Sequence, residues 1–315
     1  MTRLHKIVRA LKGYPRVYTL LILPYYFLRF VLASVRERSL WFYRYPPGHY
    51  GSTLPSLRDI NSRRIELFSR GTAGVDGTDL NMARQLELLQ TFSRIGAGLA
   101  FNREPESDHR YYYNNQTFRL SDAIILTCFL QYLQTRNIIE VGSGFSSALM
   151  LDLQEPGVQR NLTFIEPYPA NLKRLMRQSD FQRCRLIEQK VQDVPLEEFD
   201  ILQAGDLLFI DSSHVMKIGS DLSTLFFSVL PRLNAGVVVH IHDIAWPFEY
   251  REAKIREGRI WNEIYFVRNF LQFNDTFEML YFSSYIEQEH RQELIRCLPA
   301  YTEFTGASLW LRKKK

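Results

Sequence analysis

The strongest constraint on this chain is an alternation that begins at residue 137. Short apolar runs at 138–141, 162–165, 185–187, 206–210 and 236–241 are separated by helical segments at 146–153, 169–178 and 220–233. Parallel strands need a long crossover between them, and a helix is the usual crossover. The pattern therefore predicts an α/β fold, a doubly wound and mostly parallel sheet with helices on both faces. The tail departs from strict alternation, with a helix at 260–273, a strand at 277–285, a helix at 287–297 and a strand at 307–311. Two further strands give a seven-stranded, Rossmann-like sheet. Such sheets bind ligands beyond the C-terminal ends of their strands.

Upstream of the alternation, residues 44–119 are rich in Gly, Pro, Asn, Ser and Arg, with one helical stretch at 80–95. This reads as a cap or lid rather than an independent domain. Ser121 and Asp122 are the expected N-cap of a helix over 123–132. The chain is thus expected to divide into a mainly helical N-terminal segment (1–45), a cap (46–118) and a nucleotide-binding domain (119–315).

With 315 residues, 46% hydrophobic and 23% charged, the composition excludes a disordered chain. The formal charge of +5 comes largely from the ends, where Arg3, Lys6, Arg9, Lys12 and Arg16 open the chain and Arg312, Lys313, Lys314 and Lys315 close it. The remaining body is slightly acidic, so a nucleic-acid partner is not expected. Cys128, Cys184 and Cys297 are widely spaced, which fits neither a disulfide framework nor a metal knuckle and points to a reducing, cytoplasmic setting. The apolar run 17–35 is interrupted by Pro24 and Arg29, leaving less than the roughly 20 residues a spanning helix needs. Its aromatic residues and basic flanks suit a helix that packs on the body or lies on the inner face of a membrane.

The most specific local element is Ile138-Ile139-Glu140-Val141-Gly142-Ser143-Gly144-Phe145-Ser146-Ser147. A strand enters a Gly-x-Gly turn and a helix leaves it, so the backbone can approach a ligand and the helix N-terminus near Ser146 offers free N–H donors. Ser147 stands where the dinucleotide fingerprint has its third glycine, and Glu140 would place a negative charge near a pyrophosphate. The carboxylate instead suits a ligand that carries an ammonium group. Glu166, 22 residues after Gly144, ends the second strand where a carboxylate can accept both ribose hydroxyls.

In these features the sequence resembles the class I S-adenosylmethionine-dependent methyltransferases. The resemblance rests on E-x-G-x-G at 140–144, Glu166, Gln192-Asp193 after the third strand, the fourth strand ending at Asp211, the fifth ending before Asp243, and the closing strand pair. It implies that Gly142 and Gly144 line the methionine part of the cofactor, that Glu166 holds the ribose, and that Gln192 and Asp193 lie beside the adenine. Phe209-Ile210-Asp211-Ser212-Ser213-His214 further resembles small-molecule O-methyltransferases of the catechol and macrocin type. That likeness implies a divalent ion, Mg2+, on Asp211 and Asp243, with His214 as the base. The metal set is incomplete, because Ile244 and His242 occupy positions where those enzymes carry a further ligand. His242 is a second candidate base, and His240, two residues earlier on the same strand face, reads as a core histidine.

The function expected is methyl transfer to oxygen on a small-molecule or sugar-type acceptor, by direct displacement that needs alignment and a dry pocket rather than a protein nucleophile. Aromatic residues at 111–113, 246–250 and Trp261 are candidates for the acceptor wall. Three readings compete. One is a metal-dependent hydrolase or oxygenase using His214, His240, His242 and Asp243, another an NAD-dependent oxidoreductase, and the third a nucleotide-binding protein without turnover.

Overall fold

A computed structural model describes residues 45–68, 75–153 and 157–315, together with scattered helical positions between Pro24 and Val35. Contacts divide the chain into two compact units, Met1–Ser69 and Arg70–Lys315. The expected N-terminal segment lies mostly outside the described residues. Its described positions between Pro24 and Val35 are helical, and Phe27, Leu28, Leu32 and Val35 are exposed. In the same unit, α1 (Leu57–Ser62) starts where Ser56 Oγ accepts the Asp59 N–H, and α2 (Arg64–Phe68) follows. Among the described residues, no helix is long and apolar enough to cross a membrane.

The second unit holds one sheet of seven strands in the order β3-β2-β1-β4-β5-β7-β6. These are β1 (Asn137–Val141), β2 (Asn161–Ile165), β3 (Cys184–Ile187), β4 (Leu207–Ile210), β5 (Val238–Ile241), β6 (Phe277–Phe282) and β7 (Leu309–Lys313). The first five pair in parallel, while β7 runs antiparallel to both β5 and β6. The central strands LLFI (β4) and VVHI (β5) are buried at every position, as expected of parallel strands covered on both faces. Chain order reverses between β1 and β4, which opens a crevice beyond their C-terminal ends.

Helices cover the sheet. The helix α3 (Met82–Gly96), expected at 80–95, sets Leu88, Leu89 and Phe92 into the core. Residues 75–118, from the expected cap, belong to the second unit, where Tyr111 and Phe118 are also part of the core. Next, α4 (Leu120–Leu133) is buried from Leu120 through Leu130, so it is apolar all round and lies inside the domain. Its N-cap is Arg119 rather than Ser121 or Asp122. Those two sit in the first turn because their side chains serve a distant loop: Asp122 accepts the Ala307 N–H, and Ser121 bonds the Thr305 hydroxyl.

Following β1 and β2 come α5 (Phe145–Asp152) and α6 (Ala170–Leu175), and a helical stretch α7 (221–232) joins β4 to β5. Two helices, α8 (Glu252–Arg256) and α9 (Glu263–Leu271), lead into β6. The strand expected at 277–285 stops at Phe282, and α10 (Ser283–Glu289) begins at once. The helix expected at 287–297 is broken at His290, after which α11 (Arg291–Cys297) continues.

Candidate active site

A cavity of about 560 Å³ lies over the ends of β1, β2 and β4. Its floor is the turn Gly142–Ser146, its flanks are Glu166 and Asp211, and Tyr112, Thr117 and Phe118 close one wall. Five residues singled out from the sequence, Gly142, Gly144, Ser146, Glu166 and Asp211, therefore meet at one surface. Gly142 has φ +83°, and a Cβ there would come within 1.8 Å of the Asp211 carbonyl oxygen, so the turn requires glycine. A Cβ on Gly144 would meet open space, which leaves the backbone beside the cavity accessible to a ligand.

Glu140 stands behind the floor, not at it. It is fully buried, and the Ser146 Oγ (2.5 Å) and Ser147 Oγ both donate to its carboxylate. Burial pushes Glu140 up to about 8 despite those two donors, with Asp211 and Glu166 adding repulsion. Ser147 Oγ also accepts the Gly144 N–H, so Glu140 ties the turn to the start of α5. A third glycine at 147 could not make this link.

At the end of β2, Glu166 Oε2 accepts the Ser143 N–H (3.2 Å) and Oε1 accepts the Tyr168 N–H (2.8 Å). A carboxylate has about four acceptor positions, so two remain for a ligand diol. Gln192 and Asp193 are not part of the cavity wall. Gln192 donates to the Gly219 carbonyl, and Asp193 is exposed.

Asp211 leads away from the cavity into a buried polar cluster. His214 Nε2 lies 3.4 Å from Asp211 Oδ1 and 3.8 Å from Asp243 Oδ2, while its Nδ1 is 2.6 Å from Glu263 Oε2. Burial opposes charge on His214, but the bonds to Asp211 and Glu263 outweigh it and push its pKa up to about 10. A neutral His214 base at pH 7, the sequence expectation, does not suit this setting. The imidazole stands between these acids, one step behind the cavity wall. Both His214 (φ +60°) and Asp243 (φ +61°) have left-handed backbone, a conformation uncommon outside glycine that concentrates at functional sites.

His242 is buried, and it too stays off the cavity wall. Burial works against its charge, and Asp211, Asp122 and Asp243 raise its pKa nonetheless. His240 points into the core, stacked on Phe209 with ring centroids 3.9 Å apart, and its burial drives its pKa down. The histidines of the H-x-H-D motif are thus not gathered with His214 as a ligand set. Among the described residues, no group of three or more His, Cys, Asp or Glu side chains is placed to hold a metal ion.

Three features were not legible in the sequence. Glu263, the partner of His214, lies 49 positions away. Lys254 donates to Asp243 Oδ1 at 2.6 Å. Arg110, nearly buried, grips Asp152 (2.5 Å) and Asp180 (2.6 Å), and Asp152 Oδ2 accepts the backbone N–H groups of Arg110 and Tyr111. This clasp fixes the start of the wall. Asn115 finishes it by accepting the Phe118 N–H and donating to the Tyr112 carbonyl. Of the aromatics expected to contact an acceptor, Tyr112 lines the cavity against Phe145, whereas Trp246, Phe248 and Tyr250 pack in the core.

Residues 139–244, which run from β1 past β5 and contain every acid of the cavity, match the family model described as a methyltransferase domain. This stretch of the chain is a methyltransferase domain. This methyltransferase is 33% identical over 165 residues to an uncharacterized protein of Archaeoglobus fulgidus, an alignment that covers 50% of this chain and 74% of the relative. It is also similar to two solved structures. One is the S-adenosylhomocysteine-bound methyltransferase PaMTH1 of Podospora anserina (13% identity, 84% of this chain and 100% of that one, TM-score 0.41). The other is the O-methyltransferase TomG of Streptomyces achromogenes, involved in tomaymycin synthesis and bound to S-adenosylmethionine (14% identity, 73% and 90%, TM-score 0.40).

The cavity of the methyltransferase fits the cofactor. The glycine turn admits a ligand at backbone distance, Glu166 has acceptor positions left for a diol, and the charged side chains lining the space are two acids, Glu166 and Asp211, and one base, Arg174.

Proposed function

We propose that this methyltransferase acts on an oxygen atom of a small-molecule or sugar-type acceptor. The observation that carries the reading is the position of Asp211: it lies on the cavity wall and is backed by His214, which Glu263 fixes from behind. Bound S-adenosylmethionine supplies an electrophilic methyl group. As the acceptor oxygen attacks the methyl carbon and S-adenosylhomocysteine leaves, the hydroxyl proton would pass to the Asp211 carboxylate, which His214 holds in place from behind. Gly142, Gly144 and Ser146 hold the methionine end, and Glu166 holds the ribose. Tyr112, Thr117 and Phe118 exclude water from the reacting atoms.

The basic residues near the N-terminus and the exposed Phe27, Leu28, Leu32 and Val35 support a site of action at the cytoplasmic face of a membrane. Sedimentation with anionic vesicles, with and without residues 1–45, tests this part: loss of binding on deletion is expected, and equal binding refutes it.

For the reaction itself, the test is transfer of radiolabelled methyl from S-adenosylmethionine to a panel of hydroxyl, carboxyl and amine acceptors. Labelled ether products support the proposal. Products labelled only on nitrogen overturn it.

A further inference from the structure

The acids Asp211 and Asp243 are the pair that would have to hold a divalent ion, and their surroundings do not fit one. Asp243 Oδ1 accepts from Lys254 Nζ at 2.6 Å, its Oδ2 lies 3.8 Å from His214 Nε2, and the same nitrogen is 3.4 Å from Asp211 Oδ1. A hard dication seeks about six oxygen ligands, but here nitrogens of the chain already face both acids, the Lys254 ammonium at Asp243 and the His214 ring between the two. We propose that Lys254 is a built-in cation that holds Asp243 in place of a metal ion, with the His214 ring filling the space between Asp211 and Asp243, so that methyl transfer by this protein is metal-independent.

Several observations support a fixed role for Lys254 rather than a casual surface pair. Its side chain and that of Asp243 are only 25% and 21% exposed. The ammonium lies 4.5 Å from the Trp261 ring centroid, and the same indole packs against His214 with centroids 4.3 Å apart. The two side chains therefore share one aromatic support. The left-handed backbone at His214 and Asp243 aims both side chains into this cluster. Lys254 acts through Asp243 and is a positioning residue.

The inference rests on the methyltransferase reading only for its catalytic meaning. Titration with Mn2+ followed by electron paramagnetic resonance tests the charge replacement directly, on the wild type, Lys254→Met, Lys254→Gln and Lys254→Arg. Wild type and Lys254→Arg are expected to bind Mn2+ equally weakly. The two neutral variants should bind about tenfold more tightly or better, the scale of one unit charge acting on a dication a few ångströms away. Adding Asp243→Asn to a neutral variant should abolish the gain, an effect that a merely structural role for Lys254 would not produce. Wild-type binding as tight as that of Lys254→Met, or no gain in either neutral variant, overturns the proposal. Calorimetry with S-adenosylhomocysteine on the same samples separates the two readings: failure of the wild type to bind it counts against the methyltransferase mechanism, while the Mn2+ comparison still decides the role of Lys254.

Discussion

Replacing Glu166 by Gln isolates the ribose contact. The carboxylate already accepts the Ser143 and Tyr168 N–H groups through different oxygens. An amide keeps one of these bonds and turns an NH2 toward the other donor, a loss of about 1 kcal/mol in stability. For a domain of this size that corresponds to a fall in Tm of roughly 2–4 °C. The ligand effect is larger. Two diol hydroxyls that donated to an ionised acceptor now meet a neutral one, and charged hydrogen bonds exceed neutral ones by about 1–1.5 kcal/mol each. The sum of about 2–3 kcal/mol raises Kd roughly 30- to 150-fold. Calorimetric titration with S-adenosylhomocysteine measures the affinity, and thermal unfolding measures the control. An affinity within threefold of wild type would refute the assignment of Glu166 to the ribose.

Other perturbations have equally definite outcomes. Asp211→Asn should lower methyl transfer by about 10²- to 10⁴-fold while cofactor affinity changes far less, and equal rates in a single-turnover assay would remove Asp211 from proton transfer. Arg110→Ala leaves Asp152 and Asp180 buried without a cation, which should cost about 3–5 kcal/mol and lower Tm by roughly 6–20 °C. A loss below 1 kcal/mol in denaturant unfolding would show that the clasp is dispensable. The unliganded protein should lose stability steadily as pH rises from 6 to 9. Burial lifts Glu140 to about 8 and Glu287 to about 7, so above the ordinary carboxylate range the native state holds protons that the unfolded chain has released. His214 adds in the same direction. Burial opposes its charge, yet Asp211 and Glu263 raise it to about 10, and its contribution, complete below the ordinary value of 6.5, is lost as pH climbs toward 10. A Tm that is flat or rising over this range contradicts these assignments.

Much of the fold was legible because its signals are local. Apolar runs of strand length separated by helices specify a parallel sheet, and the glycine turn between β1 and α5 marks its ligand end. Boundaries were less secure where both sides are apolar. Strand β6 runs straight into α10 through Ser283, Ser284 and Tyr285 without a glycine or proline to mark the change. Ser121 and Asp122 look like an N-cap, yet a loop more than 180 residues away claims them. The charge state at the site was also hidden. His214 reads as a neutral base until Glu263 and Asp211 are placed around it, and Glu140 reads as a ligand contact until Ser146 and Ser147 close over it. The Arg110 clasp spans separations of 42 and 70 residues, which no periodicity reveals.

The most direct measurement is calorimetric titration of the purified protein with S-adenosylmethionine and, separately, with NAD. Saturable binding of S-adenosylmethionine, sharply weakened by Glu166→Gln, together with no binding of NAD, is the expected result. Binding of NAD alone, or of neither nucleotide, would contradict the cofactor assignment on which the proposed chemistry depends.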